Sequence, residues 1–169
     1  MAIVKGEVTL SSGAVSDHYF DLRRVSLHPR GFDLIGPAVL HETRSWRYEA
    51  VAGLVLGAVP LALATMAAAH QAGRELPAAA IRKEAKRHGL AKRIEGADLT
   101  GKHVLVVEDT STTGSSTLTA IEAVEAEGAT VAGVVLLVDR GGARTVAATG
   151  VPVRSVFTAA ELLEGGGRP

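Results

Sequence analysis

Two adjacent carboxylates, Glu108 and Asp109, stand where an apolar run changes to small hydroxylated residues. The run is Val104–Val107, and Thr110–Ser116 follows it as TSTTGSS. Carboxylates here can accept hydrogen bonds from sugar hydroxyls or help to hold magnesium. Ser, Thr and Gly let backbone N–H groups and the positive end of a following helix approach a phosphate. The pattern predicts a site for a phosphorylated sugar, with simple helix capping as the alternative.

A basic segment precedes this site in the chain. Residues 82–96 read RKEAKRHGLAKRIEG and contain six lysines and arginines, with almost no large apolar side chain. A charge run is commonly a solvated surface helix or loop. Because this one directly follows an apolar stretch that is typical of a strand, we favour a mobile basic lid that closes over a polyanion.

An arginine follows the next apolar run. Thr130–Val138 is typical of a buried strand, and Asp139-Arg140-Gly141-Gly142 follows it. In open α/β sheets, ligands bind at the carboxyl ends of the strands, where Arg140 would lie. A structural pairing of Arg140 with Asp139 or with a helix end is the alternative.

Alternating strand and helix patterns position these groups. Strands are predicted at Val8–Leu10 and Tyr19–Leu27 as an N-terminal hairpin, and a helix is predicted within Gly31–Trp46. Further strands are predicted at Tyr48–Gly53, Pro77–Ile81, His103–Asp109, Thr130–Val138 and Val153–Phe157, and further helices at Ala58–Ala72, from Leu118 to Gly128, and at Ala159–Leu163. The alternation predicts an α/β fold with a mostly parallel central sheet flanked by helices.

Composition limits the class of protein. The 169 residues are 47% hydrophobic, which fits a single domain over 1–169 with a substantial core. Lys plus Arg equals Asp plus Glu at 18 each, so we expect no nucleic-acid and no membrane partner. There is no cysteine, which excludes a thiol nucleophile and disulfides, and with the N-terminal sequence this predicts a cytoplasmic enzyme.

One uncharged stretch needs a separate interpretation. Ala50–Ala69 is long enough on paper to cross a bilayer. Gly53, Gly57 and Pro60 interrupt it, so we interpret it as a buried strand, a turn and a buried helix.

Four separated stretches resemble a known family. VTLSSGAVSDHYFDLRR (residues 8–24), IRKEAKRHG (81–89), VLVVEDTSTTGSS (104–116) and VDRGGA (138–143) look like successive signatures of the orotate phosphoribosyltransferases. The third stretch alone indicates the wider type I phosphoribosyltransferase family. The resemblance implies the type I fold, with a hairpin hood at about residues 7–27, a basic lid at about 82–96 and a phosphoribosyl pyrophosphate (PRPP) loop at 104–116.

The resemblance also implies a function and a set of site residues. It implies transfer of the phosphoribosyl group from PRPP to orotate, with Arg82, Lys86 and Asp109 as the catalytic residues. Contacts with PRPP are implied for Arg82, Lys83, Lys86, His88, Glu108, Asp109, Thr110, Ser111, Thr112, Thr113, Gly114, Ser115 and Ser116. Contacts with orotate are implied for Thr112, Arg140, Tyr19 and Phe20.

The family further implies Mg²⁺, which PRPP would mainly carry and Asp109 would help to hold, and a homodimer whose lid is shared between subunits. Two positions depart from the pattern. Ser11 and Leu56-Gly57 stand where many members have Lys and Tyr-Lys. A transferase acting on another base and a non-catalytic nucleotide-sensing regulator remain as alternatives.

Overall fold

The computed structural model describes residues 2–9, 15–84 and 93–165. In chain order the elements are β1 (Ile3–Thr9), β2 (Val15–Phe20), α1 (Arg23–Ser26), α2 (Pro29–Glu42), β3 (Ala50–Leu54), α3 (Val59–Gln71), β4 (Ala78–Ile81), β5 (Ile94–Gly96), β6 (His103–Ser111), α4 (Ser115–Ala126), β7 (Thr130–Asp139), α5 (Ala143–Ala147), β8 (Val153–Thr158) and α6 (Ala159–Leu163).

The main sheet of the described residues has the strand order β5-β4-β3-β6-β7-β8. Every neighbouring pair is parallel except β4 and β5, which run antiparallel at one edge. The predicted mostly parallel α/β sheet is therefore confirmed. The two central strands, β3 and β6, are paired from Ala50 with Val104 to Gly53 with Val107.

Side chains of the central strands alternate between two apolar cores. Val51, Leu105 and Val107 pack with α2 and α3 on one face, whereas Ala52 and Val106 pack with α4 on the other. Because both faces are covered, β6 reads as a continuous apolar run and not as an alternating one. The chain leaves β3 for α3 and β4, and leaves β6 for α4 and β7, so the connections diverge between these two strands.

The N-terminal hairpin is present, but both strands differ from the prediction: β1 begins at Ile3 and not at Val8, and β2 begins at Val15 and ends at Phe20. Strands β1 and β2 pair antiparallel, with Ile3 opposite Phe20. The predicted strand over Tyr19–Leu27 is wrong beyond Phe20, because the next residues form α1. Leu22 and Ser26 are buried one helical turn apart, and the N–H of Ser26 donates to the carbonyl of Leu22 at 2.8 Å. Burial at helical spacing therefore decided the conformation.

The uncharged stretch Ala50–Ala69 forms strand β3, a turn and most of helix α3, as predicted. No helix in the described ranges is long and apolar enough to cross a membrane. The short helix α5 was not predicted, because only Val146 of its five residues is buried. The last residues of the segment 82–96 also belong to the sheet, since buried Ile94 anchors β5 beside β4.

Candidate active site

A cavity of about 240 Å³ opens at the carboxyl ends of the central strands. It lies where the connections from β3 and β6 diverge, which is where open α/β sheets bind their ligands. The hairpin end covers one side of it. The lining residues are Tyr19, Phe20, Leu22, Arg23, Leu54, Val55, Leu56, Gly57, Lys83, Glu108, Asp109, Thr110, Ser116 and Arg140.

Glu108 is a buried carboxyl group in this cavity, with 5% of its surface exposed. Its Oε2 atom has no hydrogen-bond partner among the described residues. Burial, together with the neighbouring charge of Asp109, raises the pKa of Glu108 to about 8, and the charge of Lys83 opposes this rise. A buried polar atom without a partner is costly in a folded protein. Glu108 is therefore set to accept a hydrogen bond from a ligand that enters the cavity.

Asp109 follows at the mouth of the cavity and is partly buried. Its Oδ1 atom accepts the N–H of Thr110 at 2.7 Å. A Cβ atom on Gly57 would lie 2.3 Å from Oδ2 of Asp109, so a side chain there would displace the carboxylate. The missing side chain at position 57 thus lets Asp109 lie against the loop between β3 and α3.

The hydroxylated stretch divides between the strand, a turn and the helix. Thr110 and Ser111 end β6, and Ser115 begins α4. Gly114 is the N-cap, with φ +86°, and no side chain caps the helix. The N–H of Ser115 donates to Oγ1 of Thr113 at 3.4 Å, and because the N-cap has no side chain, the first turn can still receive an anion, as a phosphate site requires.

The hydroxyl groups of this stretch point in two directions. Thr112, Thr113, Ser115 and Ser116 are exposed. Ser111 is only 4% exposed, and its Oγ lies 3.5 Å from Oγ1 of buried Thr117. The side chain of Ser111 is therefore part of the support of the loop and not of its exposed surface.

Support for the loop also comes from the end of β7. The N–H groups of Arg140 and Gly142 both donate to the carbonyl of Ser111, at 2.8 and 3.2 Å. A Cβ atom on Gly142 would lie 2.1 Å from Oγ of Ser111 and 2.9 Å from the nitrogen of Gly114. The glycine at position 142 lets these two loops pack against each other.

Of the residues predicted to contact orotate, the structure brings only some together in the cavity. The guanidinium carbon of Arg140 lies 5.2 Å from the ring centroid of Phe20, which is a cation–π distance. Tyr19 also lines the cavity. Thr112 is exposed and is not among the lining residues.

The predicted pyrophosphate end is described only at its start. Lys83 lines the cavity, whereas Arg82 forms an exposed ion pair with Glu95 at 2.9 Å. The N–H of Arg82 also donates to the carbonyl of Arg93, which joins the two ends of the lid segment. Lys86 and His88 lie outside the described residues, as does Ser11.

Sequence reasoning missed two parts of the lining. One is the β3–α3 loop, where Leu56 is 68% exposed and Gly57 contacts Asp109. The other is Arg23, which begins α1. Arg23 could have been noticed because it lies three residues after Phe20, which was predicted to contact orotate. The strand predicted for Tyr19–Leu27 did not indicate whether the side chain of Arg23 faces the cavity.

Comparisons with known proteins agree with this geometry. A family model described as the phosphoribosyl transferase domain matches residues 38–154. The orotate phosphoribosyltransferase of Corynebacterium glutamicum (strain R) is 52% identical over 164 residues, which cover 96% of this chain and 88% of that protein.

Solved structures are similar over most of the chain. Mycobacterium tuberculosis H37Rv orotate phosphoribosyltransferase in complex with Fe(III) dicitrate has a TM-score of 0.84 at 49% identity, covering 95% of this chain and 91% of that chain. Its complex with 5-phospho-alpha-D-ribosyl 1-diphosphate has a TM-score of 0.75 at 45% identity, covering 85% and 82%.

Proposed function

We propose that this chain, which belongs to the orotate phosphoribosyltransferase family, transfers the 5-phosphoribosyl group of PRPP to orotate. The products are orotidine 5′-monophosphate and pyrophosphate, a step of pyrimidine biosynthesis. The observation that carries the proposal is the buried carboxyl group of Glu108, whose Oε2 atom has no partner among the described residues, beside Asp109 and before a helix N-terminus without a side-chain cap. A ribose 5-phosphate needs both an acceptor for its hydroxyls and a donor set for its phosphate.

The ribose 5-phosphate part of PRPP would lie on β6 and the start of α4. Glu108 and Asp109 would accept hydrogen bonds from the ribose hydroxyls. The N–H groups and exposed hydroxyls of Thr112–Ser116 would surround the 5′-phosphate. Contacts at both ends of the sugar orient its anomeric carbon toward the second substrate. Such orientation can supply a large part of the rate enhancement when two substrates react.

Charge in the transition state favours the same arrangement. As the bond from the anomeric carbon to pyrophosphate breaks, positive charge develops on the ribose and negative charge on the leaving group. The carboxylate of Asp109 would stabilise the first, and the cations Arg82, Lys83, Lys86 and His88 the second. The ring nitrogen of orotate bonds to the anomeric carbon as the bond to pyrophosphate breaks, and the proton of that nitrogen can leave with the pyrophosphate, so positioning and charge can replace a strong protein base.

Arg140 would bind the carboxylate of orotate. A guanidinium group offers two parallel N–H donors that match the two oxygens of a carboxylate. Stacking on Phe20 holds the guanidinium of Arg140 on the base side of the cavity. Tyr19 and Phe20 would then cover the flat ring of the base.

The carboxylates present fit Mg²⁺, which prefers oxygen ligands and commonly binds through one or two carboxylates together with substrate phosphates. Asp109 offers such oxygens at the mouth of the cavity, whereas Glu108 keeps its proton up to about pH 8. No group of three or more His, Cys, Asp or Glu in the described part of the chain is arranged to hold a metal. Magnesium held mainly by PRPP is thus the arrangement we propose, and its charge would offset that of the pyrophosphate.

Three further expectations accompany this function. We propose a single catalytic domain, a cytoplasmic location and a homodimer in which the lid segment 82–96 completes the partner's site. The homodimer is supported by Arg82, which pairs with Glu95 and does not line the cavity of its own chain.

An assay with competing bases tests the activity. The protein is mixed with PRPP, magnesium and, separately, orotate, uracil, adenine, guanine and hypoxanthine, and loss of each base is measured. We expect turnover with orotate only. Turnover of another base alone would favour a related transferase, and turnover of none would contradict catalysis.

A pair of matched variants excludes a contaminating enzyme. Asp109→Asn should abolish turnover, because it removes the charge beside the anomeric carbon. Asp33→Asn changes an exposed carboxylate on α2 and should keep full turnover. Equal activity of the two variants would remove Asp109 from the mechanism.

A further inference from the structure

Arg23 is a cation in the cavity to which neither the sequence motifs nor the mechanism above gives a role. It is the first residue of α1 and lines the cavity with Lys83 and Arg140. These are the cations of the lining in the described chain. Arg24, the next residue, is exposed and is not part of the lining.

Two contacts hold the guanidinium group of Arg23 at the hairpin end. Its Nε donates to Oδ1 of Asp21 at 3.1 Å, and its Nη2 donates to the hydroxyl of Tyr19 at 3.2 Å. The side chain of Arg23 is still 48% exposed. An ion pair this exposed adds little to stability, so the fold does not depend on it.

The charges around Arg23 identify its side of the cavity. The hydrogen bond to Asp21, followed by the charges of Tyr19 and Asp21, raises the pKa of Arg23, and Asp109 also acts in that direction. Asp109 in turn lies against Gly57 in the β3–α3 loop. Arg140 is stacked on Phe20 at the end of β7 instead. The two arginines line the same cavity but have different neighbours, Asp21 and Tyr19 for Arg23 and Phe20 for Arg140.

The β3–α3 loop cannot itself provide a cation at this place. Leu56 is apolar, and Gly57 has no side chain. A lysine at position 57 would bring its Cβ within 2.3 Å of Oδ2 of Asp109. Under the proposed function the leaving group departs from the anomeric carbon beside Asp109, so with no cation from this loop the positive charge that it needs must come from another element that lines the cavity.

We propose that Arg23 is a substrate-binding residue that contacts the pyrophosphate group of PRPP from within the same chain. This inference rests on the proposed function. A guanidinium group suits the role because it stays charged at any working pH and can donate two hydrogen bonds to phosphate oxygens. The bonds to Asp21 and Tyr19 orient it before the substrate arrives, which lowers the entropy cost of binding.

The test compares Arg23→Ala and Arg23→Lys with the matched control Arg24→Ala. Titration calorimetry with excess magnesium measures the affinity for pyrophosphate and, separately, for ribose 5-phosphate. Arg23→Ala should weaken pyrophosphate binding by about tenfold or more, the usual effect of a lost charge-assisted contact of about 1.4 kcal/mol. Ribose 5-phosphate affinity should stay the same, Arg23→Lys should be intermediate, and Arg24→Ala should match the wild type.

Other outcomes overturn the inference. Unchanged pyrophosphate affinity in Arg23→Ala removes the contact. An equal loss for both probes makes Arg23 a structural residue. If Arg23→Ala raises the KM for orotate and leaves the pyrophosphate affinity normal, Arg23 contacts the base and not the pyrophosphate. If the wild-type protein turns over no base and binds neither probe, the proposed function fails and this inference fails with it.

Discussion

Replacing Glu108 by Gln should change how the stability of the protein depends on pH. The pKa of Glu108 is raised from 4.5 to about 8, first by burial and then by the charge of Asp109. The folded protein thus keeps a proton that the unfolded chain releases. Stability from the protonated group is fully present below about pH 4.5 and is lost as the pH rises through about 8.

The size of this loss follows from the two pKa values. Each pH unit between them corresponds to about 1.36 kcal/mol, so the full range gives ~5 kcal/mol as an upper value. We therefore expect wild-type stability to fall by up to this value, relative to Glu108→Gln, between about pH 4.5 and pH 8. That is a large part of the ~5–15 kcal/mol by which a domain is stable. Gln has the shape of the protonated acid and cannot ionise.

The assay is urea denaturation of the wild type and of Glu108→Gln at pH 5, 7 and 9, in buffer with a chelator and without substrate. Glu108→Gln should be about as stable as the wild type at pH 5 and more stable at pH 9. Glu125→Gln, at an exposed position of α4, controls for loss of one charge and should show no such trend. A difference between Glu108→Gln and the wild type that stays constant with pH would refute the reasoning.

Three further predictions test packing and assembly. Gly57→Ala places a Cβ atom 2.3 Å from Oδ2 of Asp109; turnover should fall about 10- to 100-fold in steady-state assays, because the carboxylate moves. Gly133→Ala places a Cβ atom 2.4 Å from the ring of Trp46, away from the cavity; urea denaturation should show a loss of about 1–3 kcal/mol with kcat/KM unchanged. If the lid segment is shared in a homodimer, mixing inactive Asp109→Asn with inactive Lys86→Ala and exchanging subunits should restore part of the activity. Light scattering of tagged subunits verifies that the subunits have exchanged. If activity then stays at zero, the lid acts within its own chain.

Much of the fold could be predicted from the sequence because its central strands are covered on both faces. A strand in that position must be apolar throughout, so the run Val104–Val107 predicts a strand without a structure. The same holds for the run Thr130–Val138. Helices α3 and α4 follow such strands directly and begin near small residues.

Short elements were harder to predict because their conformation depends on distant contacts. Helix α1 has only four residues, and Leu22 and Ser26 turn it toward the core. Strand β5 is an edge strand of three residues that exists through its pairing with β4. Neither element has enough residues for a periodic pattern to appear.

For the site, the residue types could be read from the sequence but not their surroundings. Glu108 and Asp109 each accept a backbone N–H, yet Glu108 is buried and its Oε2 atom has no partner among the described residues, whereas Asp109 is only partly buried. The contact between Gly57 and Asp109 joins residues far apart in sequence. Such contacts arise from the packing of β3 beside β6, which no local pattern encodes.

The division of the cavity among separate strand ends bears on how its specificity can change. In the site that we propose, the sugar phosphate lies on β6 and α4, whereas the residues at the base come from the hairpin (Phe20) and from the turn after β7 (Arg140). A substitution that reshapes the base pocket therefore leaves the phosphate loop on its own support. Substitutions at these two positions, in evolution or in protein engineering, can therefore change which base is accepted while the binding site for the phosphorylated sugar is kept.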